Sequence, residues 1–200
     1  LSVLKETLGL FFKHNGRDHP MLFFDNGSTD GTPQWLKSQG YNVICSTHNL
    51  GVFDGTMKVW NEAHRLRYDY TLNLQDDFPN TRSIPFKTLE KFLDQERDVG
   101  YIRLNDKKDL PKNIVTGQPI VLGPKIKLDG WKFKKYNYHA TFNPILMRTW
   151  LIPLFHINQG KHRERGLMEK YEETKLLAAR IYPSMFRTLP MRSRDGGWKN

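Results

Sequence analysis

Three aspartates stand where short apolar runs end. Met21-Leu22-Phe23-Phe24 leads into Asp25-Asn26-Gly27-Ser28, and Tyr70 to Leu74 leads into Gln75-Asp76-Asp77. An ionised carboxylate only accepts hydrogen bonds, so Asp25 suits a ligand N–H or hydroxyl. Two adjacent carboxylates repel when buried and are costly to desolvate unless a cation joins them, which is the expectation for Asp76 and Asp77. Between the two runs lies Asn49-Leu50-Gly51, followed by Gly55 and Lys58. A helix starting there presents backbone N–H groups to an anion, and Lys58 adds a positive charge one turn in. Each feature also has a plainer reading: an Asx turn for Asp25 and Ser28, a strand–turn–helix connection at Asn49, and a solvated turn before Pro79.

The elements that must hold these residues follow from periodicity. Leu1, Leu4, Leu8, Phe11 and Phe12 recur at helical spacing and Gly16 ends the helix. Residues 21–24 read as a buried strand. A helix capped by Asp30 or Thr32, with Pro33 in its first turn, then runs to Gly40. Tyr41 to Cys45 is a second strand, Gly55 to about Arg67 a helix, and Tyr70 to Leu74 a third strand. Strand and helix alternate as in an α/β fold with a parallel sheet, and such sheets bind ligands at the carboxyl ends of their strands. Beyond Pro79 the pattern loosens. The spacing predicts a helix over 85–95 and a strand over 100–104, then a Lys-, Pro- and Gly-rich stretch over 105–130. Trp131 to Tyr138 alternates aromatic residues with lysine. His139 to Trp150 reads as a strand turning into a helix at Asn143-Pro144. A helix is predicted over 163–180 and a last strand over 181–191.

The segment from Leu22 to Thr32, Leu-Phe-Phe-Asp-Asn-Gly-Ser-Thr-Asp-Gly-Thr, resembles the strand-and-loop signature of GT-A fold nucleotide-sugar glycosyltransferases, above all the family 2 group. Asp25 matches that family's first aspartate, and Asn26 replaces its second. The resemblance implies that Asp25, with Asn26, Gly27 and Ser28 around it, binds the nucleoside of a UDP-sugar donor. Asn49, Gly51 and Lys58 match the next donor-binding block. Gln75-Asp76-Asp77 resembles the DxD motif with glutamine in place of its first acid. Asp77 then stands as the ligand of a divalent cation, Mn²⁺ or Mg²⁺, and Asp76 as the acid facing the ribose or a metal-bound water. Such a cation stabilises the departing diphosphate as a Lewis acid, and hard oxygen ligands suit it. The family begins with a strand ahead of the first helix, whereas this sequence starts inside that helix. The expected fold is therefore a GT-A α/β domain, Rossmann-like with a mostly parallel sheet, that lacks the usual first strand or has been trimmed of it. The short form also resembles glycosyltransferase domains encoded by large algal viruses.

The second half carries weaker signals. His139 is a candidate third metal ligand or acceptor contact, against the plainer reading of a structural histidine. By the same resemblance an inverting transferase draws its base from an acid in this half, and Glu164, Glu169, Glu172 and Glu173 are the candidates. Glu169 and Glu172 share a helical face with Glu173, and Glu169 is favoured. Lys107, Lys108, Lys112, Lys125, Lys127, Lys132, Lys134 and Lys135 cluster with Trp131, Phe133, Tyr136 and Tyr138. That mixture suits sugars and phosphates, and it also fits a half-exposed strand with its aromatic side buried. Arg192, Arg194 and Lys199 around Trp198 are candidates for a flap over the diphosphate.

The 200 residues fit one domain, with a donor half over 1–80 and an acceptor half over 81–200. Lysine and arginine total 31 against 21 acids, a net +10. The excess lies beyond residue 100, so it points to an anionic acceptor or diphosphate more than to nucleic acid bound by the whole molecule. One cysteine, Cys45, excludes an internal disulfide framework, and its apolar neighbours predict a small buried thiol. No run approaches the ~18 apolar residues of a membrane span. Nothing at the start reads as a signal peptide, so a cytoplasmic location is the expectation, with the original N-terminus left open. The expected partners are a UDP-sugar and a glycan or glycoconjugate acceptor. The rival readings are a sugar-phosphate nucleotidyltransferase and a non-catalytic basic module for nucleic acid or anionic glycan.

Overall fold

The computed structural model describes residues 1–105, 113, 115–137, 144–155 and 163–187. Helix α1 spans Ser2–Asn15, and Gly16 at φ 77° ends it as the sequence predicts. Strand β1 (Leu22–Asp25) is followed by α2 (Thr32–Ser38, with Pro33 in its first turn), β2 (Asn42–Cys45), α3 (Gly51–Arg65) and β3 (Tyr70–Asn73). Next come α4 (Phe86–Gln95), β4 (Val99–Arg103), β5 (Leu122–Leu128), β6 (Trp131–Tyr136) and β7 (Ile145–Arg148). A 3-10 segment over Thr149–Phe155, α5 (Arg163–Glu173) and β8 (Leu177–Tyr182) complete the order.

The strands form two sheets. β1 and β2 pair in parallel, and a six-stranded sheet has the order β3-β7-β4-β8-β6-β5. The sheet is mixed rather than uniformly parallel. β3, β4, β8 and β5 share a direction, while β7 and β6 are inserted against them. Among the described residues no strand joins β1 to β3. Residue 80 does not separate two units, because β3 pairs with β7 from the second half.

Apolar layers lie on both faces of the six-stranded sheet. One gathers Phe11 of α1, Leu89, Phe92 and Leu93 of α4, and Ile102, Phe133, Ala179 and Ile181 of the sheet. The other gathers Met57 and Trp60 of α3, Leu167 and Tyr171 of α5, and Tyr101, Tyr136, Met147 and Ala178 of the sheet. Burying so many large side chains, at about 1.5–3 kcal/mol each, is what orders helices that differ in length and propensity.

Three local expectations are corrected. The helix expected to run to residue 180 ends at Glu173, and Lys175 at φ 57° turns the chain into β8. Ala178, Ala179 and Arg180 favour helix intrinsically, yet as β8 they fill the slot between β4 and β6, where Ala178 and Ala179 are fully buried. The order expected around Asn143-Pro144 is also shifted, with β7 following Pro144 and the helical turn coming only at Thr149. Finally, Cys45 is exposed rather than buried, because it closes the edge strand β2.

Candidate functional site

The site is assembled from the loops that leave β1, β2 and β3. Asp25 ends β1 and is 4% exposed. Its Oδ1 accepts the Ser28 N–H at 2.9 Å and its carbonyl accepts the Ser46 N–H at 2.9 Å. The Asx turn of the plainer reading therefore exists. It engages Oδ1 and, among the described residues, leaves Oδ2 without a recorded partner. Gly27 lies at φ 81°, and a Cβ there would stand 2.8 Å from the His48 carbonyl carbon. The loop can press against the β2–α3 connection only because glycine is present.

Asn26 explains why the sequence departs from an acid at this position. Its Nδ2 donates to Asn49 Oδ1 at 2.9 Å and to the Gly51 carbonyl at 3.3 Å, and its Oδ1 accepts the Leu50 N–H at 2.7 Å. Asn49 Oδ1 also accepts the Gly51 N–H at 2.8 Å. An aspartate could accept from Leu50 but could not donate to Asn49 or Gly51. Asn26, Asn49 and Gly51, expected as ligand contacts, thus form a clamp between the two loops, and α3 starts from it. Lys58, in the second turn of α3, is exposed and has no ion pair among the described residues.

Asp76 and Asp77 follow β3 directly. Both are exposed, which corrects the expectation of a buried pair: in solvent their repulsion is screened and no desolvation cost calls for a cation. The Asp76 carbonyl accepts the Thr7 hydroxyl at 2.5 Å, so α1 holds this loop. Thr7 carried no signal in the sequence beyond a polar residue on an amphipathic helix.

The acids available to a cation are Asp76 and Asp77. Among the described residues no group of three His, Cys, Asp or Glu comes together. Two hard oxygen donors on a solvent-facing loop fit an ion whose remaining positions are filled by phosphate and water. His139 lies outside the described residues, as do Lys107, Lys108, Lys112, Tyr138, Arg192, Arg194, Trp198, Lys199 and the side chain of Glu164.

The glutamates of α5 are not brought to these acids. Glu169 is exposed and takes the Arg165 Nε–H at 3.0 Å in an i,i+4 pair, and Glu173 is paired with Lys170. Glu172 Oε1 accepts Asn113 Nδ2 at 2.5 Å. The neighbouring Tyr171 hydroxyl donates to the Leu177 carbonyl at 2.7 Å and lies over Gly100. Leu177 and Gly100 stand at the starts of β8 and β4, whereas Asp76 follows the end of β3, which runs in the same direction.

Two buried arginines were not anticipated. Arg103 ends β4 at 1% exposure and Arg180 lies beside it on β8 at 9%. Arg103 Nε donates to Asn105 Oδ1 at 2.8 Å. An arginine within an otherwise apolar strand such as Val99–Arg103 was the available signal. Elsewhere, a cleft of about 410 Å³ lined by His64, Arg65, Tyr68, Asp69 and Trp150 opens at the start of β3, away from the aspartates.

No protein-family model matches the sequence, and no curated protein matches it. Solved structures do. S. aureus TarS 1-349 superimposes with a TM-score of 0.59 at 14% identity, covering 93% of this chain and 56% of that one. The same protein in complex with UDP gives 0.58 at 15%, covering 92% and 55%. CMP:2-keto-3-deoxy-manno-octonic acid synthetase complexed with CTP gives 0.51 at 11%, covering 89% and 77%. This chain thus spans about half the length of TarS 1-349. At such identity the likeness speaks for the fold alone, a mixed α/β sheet flanked by helices of the GT-A kind.

Proposed function

We propose that the chain is a glycosyltransferase that moves a sugar from a nucleotide-diphosphate donor, UDP-linked, to a hydroxyl of a glycan or glycoconjugate. The observation that carries this reading is that Asp25 at the end of β1 and Asp76-Asp77 just beyond β3 stand at the carboxyl ends of their strands, in a fold similar to that of a protein solved with UDP. Asp25 is the acceptor for a nucleoside N–H or hydroxyl, held at the end of β1 by its turn. The Asn26–Asn49 clamp fixes the start of α3, and Lys58 offers a positive charge to the diphosphate. Asp76 and Asp77 are the residues that would hold Mn²⁺ or Mg²⁺, which when bound supplies positive charge to the departing diphosphate. An inverting displacement is the mechanism the sequence resemblance implies. Its base is assigned to neither Glu169 nor Glu172, given where α5 places them.

The nucleotidyltransferase reading keeps one specific support, the likeness to a synthetase solved with CTP. The two readings differ in their products. Incubation with a panel of UDP-sugars and Mn²⁺ should release UDP from one donor, and EDTA should stop the release. Release of pyrophosphate from a nucleoside triphosphate and a sugar, with no UDP from any donor, would overturn the proposal.

A further inference from the structure

The strands at the far edge of the six-stranded sheet have an unequal division of charge. Neither β5, β6 nor β8 contains an acidic residue. Residues paired across strands share a face, so Lys125 and Lys134, Lys127 and Lys132, and Lys134 and Arg180 lie side by side. The opposite face carries Ile126, Leu128, Phe133 and Ile181, all packed into the core around α4. The one lysine on that core side, Lys135, is neutralised by Glu96 at 3.0 Å and Asp98 at 2.8 Å. Lys125, Lys127 and Lys132 are exposed and Lys134 is half-buried, and none has an ion pair among the described residues. Adjacent positions are about 5 Å apart across strands and about 7 Å apart along them, so this is a dense grid of like charge. Like charges directly opposite each other destabilise a sheet, so nothing in folding favours the grid.

Its position relates it to the site. The cross-strand row runs Asn73, Ile145, Arg103, Arg180, Lys134, Lys125. Asn73 precedes Asp76 by three residues. Four and five strand spacings put Lys134 and Lys125 about 19 and 24 Å from Asn73. That is too far for lysines serving the reacting sugar, and it suits the remote part of a long acceptor.

We infer that the lysine face of β5 and β6 binds an extended acceptor glycan bearing repeated carboxylate or phosphate groups. The inference rests on the transferase reading above. A single-stranded nucleic acid fits less well, because it needs successive aromatic rings beside the charges. Here Phe133 is fully buried and stacked on Phe92 at 4.1 Å, and Tyr136 is 1% exposed. Among the described residues, Tyr182, opposite Lys132, is the one partly exposed ring on the lysine face, while the partly exposed Trp131 packs on the core face.

The test compares two variants of equal charge. One carries Lys125→Gln, Lys127→Gln and Lys132→Gln; the other carries Lys13→Gln, Lys37→Gln and Lys87→Gln at exposed positions elsewhere. Binding of an oligogalacturonate, a neutral malto-oligosaccharide of equal length and a single-stranded DNA of equal charge is measured at low salt, alongside UDP with Mn²⁺. The first variant should lose about tenfold or more in oligogalacturonate affinity and the second less than about threefold. UDP binding should be unchanged in both, and the neutral sugar should bind far more weakly than the charged one. Equal losses in the two variants, or no binding of oligogalacturonate by the parent protein, would overturn the inference while leaving the UDP result to judge the transferase reading. DNA bound more tightly than the glycan, and lost with the same three lysines, would reassign the face to nucleic acid. Loss of UDP binding by the parent alone would count against the transferase reading and not against the charged face.

Discussion

Asn26 donates to Asn49 across 2.9 Å, joining two loops that the sequence separates by 23 residues. Through that bond the loop behind Asp25 and the start of α3 form one body. Together with the Leu50 N–H that Asn26 Oδ1 accepts, the clamp needs a donor and an acceptor on the same side chain, a chemistry aspartate lacks.

Asn26→Asp should therefore cost about 1–2 kcal/mol of stability, since a carboxylate would face Asn49 Oδ1 and the Gly51 carbonyl. Urea denaturation measures the loss. UDP affinity should fall as well, because the loop holding Asp25 loosens. Asp25→Asn keeps an acceptor for the Ser28 N–H and should lower UDP binding far more than stability. Parental stability in Asn26→Asp would contradict the clamp.

Two glycines should respond unequally to alanine. At Gly27 the new Cβ would stand 2.8 Å from backbone at His48, with φ at 81°, so neither partner can yield cheaply. At Gly55 it would meet the Phe24 ring at 2.7 Å, and a ring can turn. Gly27→Ala is expected to cost about 2–3 kcal/mol and Gly55→Ala about 1–2. Thermal unfolding ranks them, and the reverse order would count against the close approach of the two loops.

Stability should fall at alkaline pH. Burial, with the neighbouring Asp94, pushes the Tyr70 hydroxyl up to about 12. Burial also holds the Tyr171 hydroxyl well above its ordinary value, and Asp98 and Glu96 raise Lys135. Each group keeps its proton longer in the folded chain than in the unfolded one. Their contribution is complete below pH 10 and is lost as pH rises through the folded values. Denaturant midpoints across pH 9 to about 12 read this slope. Tyr70→Phe should flatten it; a slope unchanged in that variant would refute the assignment to Tyr70.

The exposed Cys45 is the register partner of Asp25 on the neighbouring strand. A thiol reagent should modify the native protein without denaturant, and UDP with Mn²⁺ should slow the reaction severalfold by covering the strand ends. A thiol that reacts only after unfolding would contradict the placement of β2.

The first 80 residues were legible because each short strand carries a few apolar residues and is closed by a polar loop, and local periodicity suffices to read it. Asp25, Asp76 and Asp77 stand out as candidates for the same reason, as the acids at or just beyond strand ends. What Asn26 does was not legible, since its partner lies in another loop and only the fold brings Asn49 to it. In the second half, β5 contains Gly123 and Pro124 and hid within a loop-like composition. Its turn, Asp129-Gly130 with both φ positive, was nonetheless a hairpin signal in plain view. The alternation from Trp131 to Lys134 fits both a ligand-binding mixture and a half-exposed strand, and it forms strand β6 with Phe133 buried and Lys132 exposed. The α5–β8 boundary was not legible because helix propensity in Ala178-Ala179-Arg180 yielded to burial.

The central claim is that Asp76 and Asp77 join a metal and a uridine nucleotide just beyond the end of β3. Calorimetric titration of UDP into the parent protein and into Asp77→Ala, each with Mn²⁺ and with EDTA, tests it most directly. The account predicts binding by the parent that weakens by about tenfold or more in EDTA, and Asp77→Ala that binds as weakly with Mn²⁺ as without it, its unfolding temperature unchanged. UDP affinity that is the same in all four titrations, or absent from the parent with Mn²⁺, would contradict it.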